Sequence, residues 1–461
     1  MSNRIRSILL FLIFINGYIS LSFELIALRQ LSGFVSSTAI TASIVIGTFL
    51  AFMSIGYYAG SIVNLVQRRT RKLIFTGLYI ISIAILMGCS YVFMDIFFRG
   101  VTLIGIKSTL MQTFAYALVF LSLPPFYFGL ITSLISRYLH RHNRNYTGRI
   151  LAIDTVGSVL GSLFTTLLLM PLIGVNHTIM LMIAVCFITA AIIIPSPKKL
   201  LPFVFIVLFA IFINSDALLK KEYKIVENNA VSTISVASMD NGNSKIMFIN
   251  RGASSKYTQD DALLFNYLSF IEKSFIRTLP QDRARKILVL GAGGFTMGDK
   301  DTFHAYTFVD IDAALLPVSE KYFLQKKLSP NKKFIVQDAG QFLKETPEMY
   351  DLIVLDTYSN FDNIPDTLIT REYLTRAKSK LALGGILLIN VIASPNFADA
   401  FSRKFDNTVH DVFGHNVSRQ IIGAYDAWNP TKKTNVIYSF YNIPNDGEIY
   451  TDNKNSVIYD K

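Results

Sequence analysis

The stretch Lys286-Ile-Leu-Val-Leu-Gly291-Ala-Gly293-Gly294, followed by Phe308-Val-Asp310-Ile-Asp312, decides how the second half of this chain folds. An apolar run of strand length enters a glycine-rich turn, and a second run ends in Asp310, nineteen residues after Gly291. Such a turn lets a ligand approach the backbone, and an acid about 20 residues on is placed to accept hydrogen bonds from ribose hydroxyls. The turn alone is a weak signal. Asp310, Asp338 and Asp356 together are stronger, because each ends an expected strand and would project from the carboxyl edge of one sheet, where open α/β sheets bind ligands. Only about a dozen residues separate Gly294 from the next strand, too few for a helix that holds a dinucleotide pyrophosphate. A nucleoside without phosphates suits this turn better than NAD.

Working outward, strands are expected at 286–291, 305–311, 333–337, 351–356 and 385–391, with helices at 313–327, 339–346 and 367–382. That alternation predicts a doubly wound, Rossmann-like α/β domain over 285–461, with 397–415 helical and 417–441 adding strands. Residues 222–252 alternate apolar and polar around the turn 240–243, so 216–284 is expected to hold a small β-hairpin region and a linking helix.

The first 215 residues obey different rules. The 461-residue chain is 51% hydrophobic and 16% charged, with a mean hydropathy of +0.41, outside the range of an ordinary soluble protein. Residues 1–215 hold 15 of the 44 basic but only three of the 32 acidic residues, leaving 29 of each beyond. The excess positive charge therefore sits between hydrophobic runs, where it sets membrane orientation, and a nucleic-acid partner is not expected. Spans are expected at about 8–28, 38–63, 73–95, 110–135, 150–172 and 176–195, each near the roughly 20 residues that cross a bilayer. A seventh, 200–213, is short and contains Pro202, so the region 1–215 is a polytopic helical membrane domain of six or seven spans. Twelve Lys and Arg in alternate loops against three in the others place the N-terminus in the cytoplasm of a multi-pass cell-membrane protein. The first run is too long for a signal-peptide core and is read as a retained helix.

Gly56-Tyr-Tyr-Ala-Gly60 and Gly157-Ser-Val-Leu-Gly161 have the small-residue spacing that lets helices approach closely in lipid. Glu24 and Asp154 are carboxylates in spanning segments, costly unless paired or facing a polar cavity, and Arg29 is the expected partner of Glu24. Cys89 and Cys186 lie in apolar runs, and the six histidines show no ligand spacing, so neither a disulfide framework nor a metal site is expected.

These residues resemble the spermidine synthase (polyamine aminopropyltransferase) superfamily, in the branch fused to an N-terminal multi-pass membrane region. The resemblance rests on Phe23-Glu24-Leu-Ile-Ala-Leu-Arg29, Pro124-Pro125 with Gly129, and Gly148-Arg149-Ile-Leu-Ala-Ile-Asp154 in the first half. In the second half it rests on the glycine turn, Gln337-Asp338-Ala339, Tyr350-Asp351-Leu-Ile-Val-Leu-Asp356-Thr-Tyr358-Ser359, Ile364-Pro365 and Thr370-Arg371-Glu372. It implies a donor of the S-adenosyl type, decarboxylated S-adenosylmethionine or S-adenosylmethionine itself, as co-substrate. Gly291, Gly293, Gly294, Asp310, Asp312 and Asp338 would bind the donor, with Asp310 on the ribose and Asp338 on the adenine amine. Asp356, with Tyr358 and Ser359 beside it, would take the proton from an attacking amine.

Three positions depart from the family pattern. Soluble members carry an acid where Gly294 stands and a second acid where Ser359 stands, and their Tyr-His-Glu stretch matches Leu264-Phe265-Asn266 here. The anionic grip on a dicationic polyamine is thus largely missing. The leading expectation is aminopropyl or related transfer to an amine or membrane-associated acceptor, with a homodimer as the assembly considered. The alternatives are a methyltransferase, and a transporter or sensor with a non-catalytic nucleoside-binding domain.

Overall fold

The computed structural model describes residues 3–35, 39–63, 67–140, 146–194, 196–258, 265–358, 364–414, 416–423 and 432–443. The chain divides into two compact units: one holds Met1–Ala237 and Ile246–Ser254, the other Ser238–Lys245, Ser255–Tyr358 and Ile364–Lys461.

The first unit is helical: α1 (Asn3–Leu31), α2 (Ala39–Ile62), α3 (Gln67–Cys89), α4 (Tyr91–Leu103), α5 (Thr109–Phe120), α6 (Leu123–His140), α7 (Thr147–Phe164), α8 (Met170–Ile193), α9 (Pro197–Ile213) and α10 (Asp216–Tyr223). Among the described residues, four helical runs are long and apolar enough to cross a membrane, or up to six if each bent pair is one span. Two expected spans are redrawn. The segment 73–95 breaks at Ser90, which stands extended (ψ 130°) before α4. The segment 110–135 breaks between α5 and α6, which meet at 42°. Hydropathy stays high across both breaks, so composition does not mark them. Between α7 and α8 the helix continues through a π turn at Thr165–Leu169, and the backbone leaves helical geometry at Gly174 (φ 77°, ψ 166°).

Glycines bring two helix pairs into backbone contact. A Cβ at Gly157 or Gly161 would overlap the carbonyls of Phe14 or Tyr18 on α1, and one at Gly56 or Gly129 would overlap Phe126 or Met53 across the α2–α6 pair. Ser22 Oγ adds a bond to Gly161 O at 3.1 Å, and Thr165 Oγ1 one to Ser22 Oγ at 2.9 Å. Contacts rise together along both partners, so α1 runs parallel to α7, and α2 to α6.

The expected Glu24–Arg29 pair is not formed. Arg29 instead donates to Asn229 O (2.8 Å), Asn228 Oδ1 (3.1 Å) and Thr233 Oγ1 (3.4 Å). The buried carboxylate that does have cations is Asp95, held by Arg99 at 2.7 Å and Arg251 at 3.3 Å. The expected hairpin is a four-stranded sheet in the order β1 (Ile225–Asn228), β2 (Thr233–Met239), β3 (Ser244–Ile249), β4 (Gly252–Thr258).

The second unit holds α11 (Asn266–Ile271) and a seven-stranded sheet built from β5 (Lys286–Leu290), β6 (Ala305–Asp310), β7 (Lys332–Val336), β8 (Tyr350–Leu355), β9 (Leu381–Ala393), β10 (Val417–Ile422) and β11 (Thr434–Tyr441). Its order is β10-β11-β9-β8-β5-β6-β7, parallel except for β11, which runs against both neighbours. Central strands such as β5 are buried on both faces, as continuous apolar runs in parallel sheets must be. Helices α12 (Leu315–Val318), α13 (Ala339–Glu345), α14 (Arg371–Ser379) and α15 (Ala400–Phe413) complete the domain. The last three begin on side-chain caps from Asp338, Thr370 and Asp399, which satisfy orphan N–H groups of the first turn. The helix expected at 313–327 is shorter, α12 followed by a π turn ending at Phe323. Among the described residues no helix stands between Gly294 and β6, as the short crossover predicts. The C-terminal unit is a doubly wound, Rossmann-like α/β domain.

Candidate active site

Strand order reverses between β5 and β8, and the crevice beyond their carboxyl ends is where doubly wound sheets take ligands. Leu290 of β5 pairs with Leu355 of β8 and with Val309 of β6, so the three chains leave the sheet almost level. Gly291 turns there with φ 97°, and a Cβ on it would overlap Asp356 O. A glycine is required at that point on both counts. Asp356 N donates to Leu290 O at 2.9 Å, which fixes the two chain ends together.

Asp310 closes β6 and works on the glycine turn itself. Its Oδ2 accepts from Ala292 N at 3.0 Å and its Oδ1 from Asp312 N at 3.1 Å. Burial holds its carboxyl above the usual range, partly offset by those backbone donors. Asp312 is buried and accepts from Ala314 N at 3.0 Å. Asp338 caps α13 through Gln341 N at 2.8 Å.

Asp356 has two side-chain partners. Its Oδ1 accepts from Asn390 Nδ2 at 2.7 Å and its Oδ2 from Tyr267 Oη at 3.0 Å. Asn435 Nδ2 donates to Asn390 Oδ1 at 2.9 Å and so orients that amide. Among the described residues no cation stands beside this carboxylate. Burial therefore pushes its pKa up, the two neutral donors only moderating the shift. The same charge and burial hold the Tyr267 phenol far above its ordinary value.

The structure thus gathers Gly291, Gly293, Gly294, Asp310, Asp312, Asp338 and Asp356 along one edge of the sheet. The Tyr358 hydroxyl accepts from Ile392 N at 2.7 Å and donates to Asn390 O at 3.2 Å. It ties the loop after β8 to β9. Ser359 and Leu264 lie outside the described residues. Sequence reasoning missed Tyr267, Asn390 and Asn435. Only Asn390 left a trace, a polar residue inside the apolar run of β9.

Gly294 has no space for a side chain. A Cβ there would overlap the Phe323 ring and stand 3.0 Å from Ser255 Cβ. Gly294 N donates to Ser255 Oγ at 2.8 Å, and Ser319 Oγ donates to Gly294 O at 2.9 Å. The next residue, Phe295, takes a left-handed φ of 60° and buries its ring against Phe308 and Phe334.

A family model for the spermine/spermidine synthase domain matches residues 269–426, which include all three acidic strand ends. The C-terminal region carries a spermine/spermidine synthase domain. A polyamine aminopropyltransferase of Vibrio vulnificus is 24% identical to the chain over 161 residues, 33% of this chain and 53% of that protein. One of Sulfurisphaera tokodaii is 30% identical over 138 residues, 28% of this chain and 45% of that protein. The chain thus spans about half the length of these relatives. A probable spermidine synthase from Corynebacterium glutamicum, of known structure, aligns at 23% identity and a TM-score of 0.39, over 48% of this chain and 80% of that one. Among the described residues, no group of three or more His, Cys, Asp and Glu is placed to hold a metal ion.

Proposed function

We propose that the chain is a membrane-bound transferase that moves an aminopropyl group from decarboxylated S-adenosylmethionine to an amine, with Asp356 as the base. The observation that carries this is the setting of Asp356: a half-buried carboxylate at the switch point, fixed by two neutral donors, with no cation beside it among the described residues. An alkylammonium must lose a proton before its nitrogen can attack the carbon next to a sulfonium. As the N–C bond forms, the C–S bond breaks and its electron pair stays on sulfur, leaving a neutral thioether nucleoside. The amine proton passes to Asp356, whose raised proton affinity suits that task. Asp310 would hold the ribose and Asp338 the adenine amine, the former while already bracing the glycine turn.

A second reading, methyl transfer from S-adenosylmethionine, draws support from Gly294. The place where an acid would grip the ammonium of an aminopropyl donor is filled by Phe323 and Ser255.

The test uses the full chain in lipid nanodiscs with each donor and a panel of mono- and diamines, following release of the thioether nucleoside. Release with decarboxylated donor, lost about a hundredfold or more in Asp356→Asn while donor still binds, supports the proposal. Turnover with the carboxylated donor alone supports methyl transfer, and donor binding without turnover by any acceptor refutes both.

The membrane setting belongs to the same proposal. The run Thr147–Ile193 has 47 residues, about 70 Å if straight, twice the thickness of a bilayer core. The break at Gly174 supports reading it as two crossings. Parallel α1 with α7 and α2 with α6 fit spans one with five and two with four. S-adenosyl donors are made in the cytoplasm, so the reading places the α/β domain there. This requires six crossings, with α9 (17 residues, Pro202 inside) not traversing.

A further inference from the structure

α1 is apolar along most of its 29 residues, yet it carries three nine-tenths-buried polar side chains, two of which, Asn16 and Gln30, leave acceptor oxygens buried without a partner. Asn16 is 5% exposed and gives both its donor bonds away, to Phe128 O at 3.1 Å and Thr132 Oγ1 at 2.9 Å, while its Oδ1 is buried without a partner. Gln30 is 1% exposed, donates to Cys89 O at 2.7 Å and leaves Oε1 buried in the same state. Glu24 is 7% exposed, and among the described residues neither a hydrogen-bond donor nor a cation faces it. Arg29, the one basic residue of its stretch of helix, is turned toward Asn228 and Asn229.

At about 100° per residue these three positions share roughly one third of the circumference of α1. Glu24 stands about 12 Å along the axis from Asn16 and about 9 Å from Gln30. It lies two helical turns beyond Gly17, against whose Cα the Asp154 backbone of α7 packs, and Asp154 Oδ1 is itself buried without a partner. Asn16, Gln30 and Asp154 each leave an oxygen without a donor, Arg29 Nη1 on the same helix is buried without an acceptor among the described residues, and the Glu24 carboxylate stands between Asn16 and Gln30. A row of acceptors in an apolar medium is chemically complementary to a cation. The contrast with Asp95, equally buried but held by Arg99 and Arg251, shows how this same unit treats a carboxylate whose role is structural.

We propose that Glu24 is the anionic centre of a cation-binding site within the helical unit, taking a monovalent alkali ion or an organic ammonium. The site is independent of the transferase reading, since it uses no residue of the α/β domain.

The test is carbodiimide labelling of the full chain in nanodiscs. N,N′-dicyclohexylcarbodiimide adds to buried carboxyl groups in an apolar medium, and peptide mass spectrometry locates the adduct. The expected result is labelling of Glu24 but not of the ion-paired Asp95, reduced several-fold at constant pH by a saturating cation. Protection by sodium or potassium chloride identifies an alkali-ion site, and protection by propylammonium or putrescine, but not by these salts, an ammonium site. Labelling that no cation reduces, or no labelling of Glu24 at all, overturns the proposal. Glu24→Gln must abolish the adduct and, if it folds, leave any transferase activity in place.

Discussion

Tyr267 and Asp356 lie 89 residues apart in sequence and meet hydroxyl to carboxylate at 3.0 Å, phenol donating. The proposed role of Asp356 as base needs the ionised carboxylate, and burial raises the pH at which it ionises. Activity should therefore rise with pH through a value above the ordinary carboxylate range. The Tyr267 bond works against burial, so Tyr267→Phe should move this acidic limb to still higher pH and lower turnover roughly tenfold, the worth of one hydrogen bond to a charged group. A pH–rate profile of both proteins checks this, and an unmoved limb would remove Tyr267 from the mechanism.

Phe323 occupies the space that a side chain at Gly294 would need. Gly294→Asp should destabilise the protein by about 1–3 kcal/mol through overpacking alone. In a Phe323→Ala background the same change should cost much less, a coupling that thermal unfolding of the two single variants and the double variant will measure. If the single variant is as stable as the wild type, the crowding has been misjudged.

The α1–α7 contact tolerates no side chain at Gly161, because a Cβ would overlap Tyr18 O. Gly161→Leu should force the helices apart and forfeit the Ser22–Gly161 bond. Size-exclusion in detergent is expected to turn from one symmetric peak to aggregate, whereas leucine at Gly47, which has nothing within 4 Å, should leave the profile unchanged.

Reporters of membrane sidedness fused after residue 461, with a control in 64–72, test the proposed orientation. Both should read cytoplasmic. A C-terminus that reads external would mean that α9 crosses, and would leave the α/β domain without a cytoplasmic donor supply.

Much of the α/β domain was legible because its signals are local. Strand β5 begins at Lys286 as the apolar run does, and Asp310, Asp338 and Asp356 sit at strand ends that alternation alone predicts. What escaped was set by partners far along the chain. Arg29 finds Asn229, 200 residues away, rather than Glu24 five residues back. Tyr267 reaches Asp356 from a short helix whose sequence announces nothing. The breaks at Ser90 and between α5 and α6 were hidden for another reason: an apolar run reports that a segment prefers lipid, not where its backbone stops being helical.

The parallel helix pairs also impose a timetable on synthesis. Ser22 of α1 must wait for Gly161, 139 residues later, while Gly60 of α2 meets Arg137 after only 77. At roughly 5–20 residues per second, α1 spends about 7–28 seconds with its close-packing face uncovered. The α2–α6 pair is therefore complete first, and α1, although the first helix made, is among the last to find its mate.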